Sequence, residues 1–159
     1  MNWEHLIDAA KILCGTTGDA PPGRPRQVML KRALSTAYYA MFHALCQSNA
    51  DALIGASSRG SDAQTWLQTY RALDHRQARD RLASYRPGSG SMFQSFASAF
   101  GNLQQHRLDA DYNPRVIYVR SDVSDLIQRA ETSIAAFCNA PAAQRRRLAV
   151  YLLLQRTRG

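Results

Sequence analysis

The stretch from Arg26 to Ser48 holds neither glycine nor proline, and it predicts one long helix. Leu30, Leu34, Ala37, Met41 and Leu45 fall within ~80° on a helical wheel. A helix with such a stripe needs partners along its length, and the rest of the chain supplies them as helices. Trp3, Leu6, Ile7 and Ala10 form a stripe over about Asn2 to Leu13. Ser61-Asp62 is an N-cap signal for a third segment over Ala63–Tyr85, with Trp66, Leu67, Tyr70, Leu73 and Leu82 on its apolar side. Phe93, Phe96, Ala97, Phe100 and Leu103 mark a fourth segment, which Asn113-Pro114 must end because proline removes a donor and restricts the residue before it. Val123, Ile127, Ala130, Ile134 and Phe137 mark a fifth, capped near Ser121-Asp122. Pro141 suits the first turn of a last element, about Ala142–Arg156.

Loops are predicted where glycine, proline and small polar residues gather: Gly15–Pro25, Asn49–Gly60 and Arg86–Ser91. No strand pattern competes. The expected fold is all-α, an antiparallel bundle of four to five helices plus a short C-terminal helix. Residues 1–139 would form the bundle and 140–159 a basic helical extension of the same domain. The second and fourth segments are expected to pack as neighbours.

No apolar run approaches the ~18 residues a membrane span needs, and no basic, then apolar, leader opens the chain. A cytoplasmic protein with no membrane contact is the expectation. Cys14, Cys46 and Cys138 are odd in number and form no C-x-x-C, so buried free thiols are expected, with no metal site, disulfide framework or cofactor. The net charge of +8 favours polyanions, nucleic acid first among them. Arg145, Arg146, Arg147, Arg156 and Arg158 lie in the last twenty residues without any acid. That tail reads either as a nucleic-acid contact or as a solvated helix face.

The polar side of the long helix carries Arg32, Thr36, Tyr39 and His43 within ~60° of one another, opposite the leucine stripe. An aromatic hydroxyl and an imidazole can stack on bases and exchange protons near neutral pH, or can pack against a neighbouring helix with their polar tips satisfied. Later, Arg107 and Asp111 are spaced to pair on one helix face, which fixes an arginine fork suited to phosphate. Asp111 is expected to bond a nearby donor. Tyr112, just before the proline-terminated end, is expected to be mostly buried as an anchor.

Residues 32–43, Arg-Ala-Leu-Ser-Thr-Ala-Tyr-Tyr-Ala-Met-Phe-His, resemble the S-x-A-Y-Y-A-x-F-H signature of one branch of the HEPN superfamily. The run from Arg107 to Pro114 resembles that branch's later R-x-x-A-D-Y-x-P motif, offset by one residue. The resemblance spans roughly residues 3–138. It implies a helical bundle, often a homodimer, frequently associated with a minimal nucleotidyltransferase in toxin–antitoxin pairs. It also implies a metal-independent RNase in many members, where an Arg and a His four to six residues on handle the phosphate and the 2′-hydroxyl proton. Here the position four after Arg107 is Asp111, and only three residues separate Arg71 from His75, in a different segment.

Three functions follow. The first is an RNA- or nucleotide-associated module, partnered with a nucleotidyltransferase-type protein or a defence effector, that binds without cutting. The second is an RNase toxin with a rearranged site: Arg107 on phosphate, His43 as acid–base, and Arg32, Tyr39, Asp111 and Tyr112 binding substrate. The third is a structural dimerisation bundle. A homodimer is expected because the polar-aromatic face and the Leu148–Leu154 patch exceed what one small bundle can bury.

Overall fold

The computed structural model describes residues 1–18, 22–88 and 91–154. Among them the chain forms eight helices and no strand: α1 (Trp3–Cys14), α2 (Gln27–Leu53), α3 (Ser58–Ser61), α4 (Ala63–Tyr70), α5 (His75–Ser84), α6 (Met92–Tyr112), α7 (Arg120–Cys138) and α8 (Ala142–Leu153). The all-α bundle with a short C-terminal helix is thus present. Arg156 and Arg158 lie outside the described residues, as do positions 19–21 and 89–90 of two predicted loops.

α2 is the axis of the bundle, touching α1, α4, α6, α7 and α8. All five residues of its stripe are buried, and so are Ala33, Tyr38, Ala40, Ala44 and Cys46, so the helix is enclosed on more than one side. Its alanines leave room for neighbours to approach closely, and the surrounding helices fill that room with Phe96, Phe100, Phe137, Ile127 and Ile134. The Phe96 and Phe137 rings stack at 4.6 Å, and the Tyr38 ring lies 5.3 Å from that of Phe100. α2 and α6 are neighbours and antiparallel: contacts pair residue 31 with 113, 35 with 111 and 39 with 107.

Three expectations need correction. Asn49 does not open a loop; α2 continues to Leu53, with Asn49 and Ala50 buried. The third segment is two helices. Asp74 caps α5 by accepting from the Gln77 amide at 2.7 Å, so the chain turns between Arg71 and Asp74 instead of running through. Tyr112 is 76% exposed, not an anchor. Ala110 is the residue there that faces inward, and the buried tyrosine at this end is Tyr118, whose hydroxyl donates to the His106 carbonyl at 3.1 Å.

The basic C-terminal helix is partly structural. Arg145 donates to the Ala140 carbonyl at 3.0 Å, Arg146 reaches the Ala52 carbonyl at the end of α2, and Arg81 donates to the Leu152 carbonyl at the end of α8. Cations at helix C-termini satisfy orphan carbonyls and complement the helix dipole. Leu148, Ala149 and Leu152 are fully buried, so three of the seven residues of the patch that argued for a dimer are used within the chain, while Val150 and Leu154 stay exposed. Among the described residues no helix is long and apolar enough to cross a membrane. All three cysteines are free thiols, and Cys14 and Cys46 are buried.

Candidate functional site

The two motifs meet on the face shared by α2 and α6. Arg107 sits over the rings of Tyr38 and Tyr39, its guanidinium carbon 5.5 and 5.4 Å from their centroids. It donates to the Tyr39 hydroxyl at 3.3 Å and faces Asp111 at 3.2 Å. Asp111 also accepts from the Ser35 hydroxyl at 3.1 Å. Ser35, Tyr38, Tyr39, Arg107 and Asp111 therefore form one connected unit, with the Arg107 side chain 17% exposed. Arg32 lies exposed one turn away, and Thr36 bonds back to the Arg32 carbonyl at 2.8 Å. Tyr112 points to solvent and joins none of this.

His43 belongs to a different opening. An open cleft of about 510 Å³ lies between α2 and the α4–α5 turn, lined by Phe42, His43, Trp66, Tyr70, Arg71 and His75 among others. Arg107 is not part of its lining, so the structure does not bring Arg107 and His43 into one cleft. The second histidine of the cleft is His75, set at the start of α5 by the Asp74 cap. The sequence contains the signal for this placement: an Asp three residues before a Gln is a helix-start pattern inside what periodicity alone reads as one helix.

Both imidazoles are held through Nδ1 by a tyrosine hydroxyl. His43 Nδ1 lies 2.5 Å from Tyr70, and His75 Nδ1 lies 2.7 Å from Tyr38. His75 is held at a second point as well, because the buried Gln104 of α6 donates to its carbonyl at 3.1 Å. The Phe42 ring separates the histidines, 4.0 Å from His75 and 6.0 Å from His43. Burial pushes both imidazoles below the usual histidine range. The N-terminal amine and His75 add to this at His43; Arg107 adds to it at His75, where Asp74 opposes it. Burial raises the Tyr70 hydroxyl to about 12 and lifts Tyr38 further, so both stay protonated at neutral pH.

Trp66 forms the outer wall. Its ring lies 5.2 Å from Tyr70, its Nε1 donates to Asp51 at 2.9 Å, and Arg59 lies over it while also pairing with Asp51. Asp51 thus ties α3 and α4 to α2. Asp51→Ala is expected to cost about 1–2 kcal/mol and to redshift Trp66 emission as the wall loosens; an unchanged spectrum and melting curve would count against this role. Among the described residues no three His, Cys, Asp or Glu side chains converge as a metal site. Comparison with protein-family profiles, with curated proteins and with solved structures finds no match to this chain.

Proposed function

We propose that this protein is an RNA- or nucleotide-binding module of the HEPN type, and that its ligand enters the cleft between α2 and the α4–α5 turn. The observation that carries this reading is the lining itself. Trp66, Tyr70 and His43 form one run of flat rings, Phe42 and His75 another, and Arg71 stands exposed at the rim. Base–aromatic stacking tolerates any sequence, and an arginine at the rim meets the phosphate that follows a stacked base. A cleavage site built from Arg107 and His43 is less favoured, because Arg107 is enclosed by the tyrosines and Asp111.

Trp66 reports the binding. Single-stranded RNA, or a mononucleotide, is expected to quench its emission, with log affinity falling linearly as log salt rises. Trp66→Ala should lose about 1–3 kcal/mol of binding, and Arg71→Ala should reduce the salt slope by about one. No quenching by RNA or by any mononucleotide, at low salt, would overturn the reading. Pairing with a second copy or with a nucleotidyltransferase-type partner is read by light scattering, alone and after co-expression; the cleft reading stands with either.

A further inference from the structure

We infer that residues 116–119 form an open strand edge, on which a partner protein docks an extended, acid-flanked segment by strand addition. This surface lies where α6 passes into α7, and it stands independently of the RNA cleft.

Val116-Ile117-Tyr118-Val119 follows the proline-terminated end of α6. A run of β-branched and aromatic residues favours an extended backbone, and neither helix nor turn forms over these four. Val119 has φ −104° and ψ 140°. The side chains alternate as they do in a strand. Val116 and Tyr118 pack against the core, whereas Ile117 and Val119 are 76% and 55% exposed. Gln27 of α2 occupies one edge. Its side-chain amide accepts from the Tyr118 N–H and donates to the Tyr118 carbonyl, both at 2.8 Å, as the backbone of a neighbouring strand would.

Successive residues of a strand aim their backbone groups at opposite edges. With Tyr118 turned to Gln27, the Ile117 N–H and carbonyl and the Val119 N–H turn to the other edge. There they have no hydrogen-bond partner among the described residues. Donors and acceptors left open at strand spacing specify their own ligand, which is another extended backbone. Ile117 and Val119 then select apolar side chains at every second position of that backbone. No charged residue or proline within 116–119 guards the edge against such pairing.

Charge selects the partner further. Arg115 and Arg120 flank the segment, Arg24 lines the same hollow as Val119, and Lys31 donates to the Asn113 carbonyl at 3.3 Å. Of the acids at the adjoining helix ends, Asp109 accepts from Gln105, and Asp111 is met by Arg107 and Ser35. Asp122, in the first turn of α7, stands against four cations. A second copy paired antiparallel about Tyr118 would bring two such sets of cations together, which opposes association. Glutamate or aspartate on either side of an apolar strand complements them.

The test titrates the full chain with a dye-labelled synthetic peptide of alternating valine and threonine between pairs of glutamates. Anisotropy and amide NMR follow the binding. Saturable binding that weakens as salt rises is expected. The Ile117 and Val119 amides should become protected from exchange, while the Tyr118 amide, already bonded to Gln27, should change little. N-methylating alternate peptide amides should weaken binding at least roughly tenfold in one of the two registers, because the paired donors are lost. Ile117→Lys should weaken it similarly with an unchanged melting curve, since the position is exposed. Absence of binding at low salt, indifference to N-methylation in both registers, or protection away from 117 and 119 would overturn the strand edge. A lysine-flanked peptide that binds as tightly would overturn the acidic partner. Light scattering at twice the mass of one chain, reverting to one in Ile117→Lys, would make a second copy the occupant and overturn the proposal.

Discussion

Replacing Phe96 with alanine is expected to lower the free energy of unfolding by about 3–5 kcal/mol and the melting temperature by roughly 10 °C. Phe96 is fully buried, stacked on Phe137 at 4.6 Å and 6.2 Å from Phe100. Truncation removes the ring's transfer energy and leaves a cavity that helices α2, α6 and α7 close only in part, since interiors this dense relax little. Phe96→Leu keeps more of the volume and should cost less than half as much. Tyr112→Ala provides the contrast. It removes a ring that is 76% exposed, so the change should stay within about 0.5 kcal/mol. Calorimetry on the three variants checks this. A Phe96→Ala protein that melts with the wild type would mean that α6 does not pack on α7 as described.

The long apolar stripes were legible in the chain because their residues repeat at the helical period over several turns: those of Leu30 to Leu45 and Val123 to Phe137 lie inside the core, as do Phe93, Phe96, Phe100 and Leu103, while Ala97 is only half-buried and Ala99 takes the inward place. The boundaries were less so. Asn49 looks like a loop residue by type, yet in place it is buried at the end of α2, where tertiary packing outweighs a modest local preference. The α4–α5 turn was hidden because Leu73 and Leu82 keep the apolar pattern going across it; the cap pattern from Asp74 to Gln77 was the stronger local signal. That turn also shapes the cleft. A continuous helix would have placed Arg71 and His75 on one face, whereas the break sets His75 against Tyr38 and Phe42. Spacing within a helix predicts neighbours such as Arg107 and Asp111, but it cannot rank contacts between helices. So spacing along the chain could not show that His43 and Arg107 belong to different openings.

Arg107→Ala is expected to act on stability first. The fork suits phosphate in isolation, but here its charge is already met by Asp111 at 3.2 Å and its flat face by Tyr38 and Tyr39. Removing it leaves the Asp111 carboxylate with the Ser35 hydroxyl alone and opens the packing over two tyrosines. Losing one partner of a buried pair costs roughly 3–5 kcal/mol. With the side chains 17% and 26% exposed, solvent screens part of that, and about 2 kcal/mol is the expected loss. Arg107→Lys keeps the charge without the fork or the stacking plane, so it should recover less than half. The second consequence is local. Arg107 is one of the charges that holds His75 below its ordinary range, so the His75 titration followed by NMR should move upward in Arg107→Ala. RNA affinity, measured well below the new melting temperature, should change by less than the Arg71→Ala effect, because Arg71 lines the cleft and Arg107 does not. The opposite pattern, with an unchanged melting curve and RNA affinity lost, would return Arg107 to the phosphate and move the proposed binding site from the α4–α5 cleft to the face between α2 and α6.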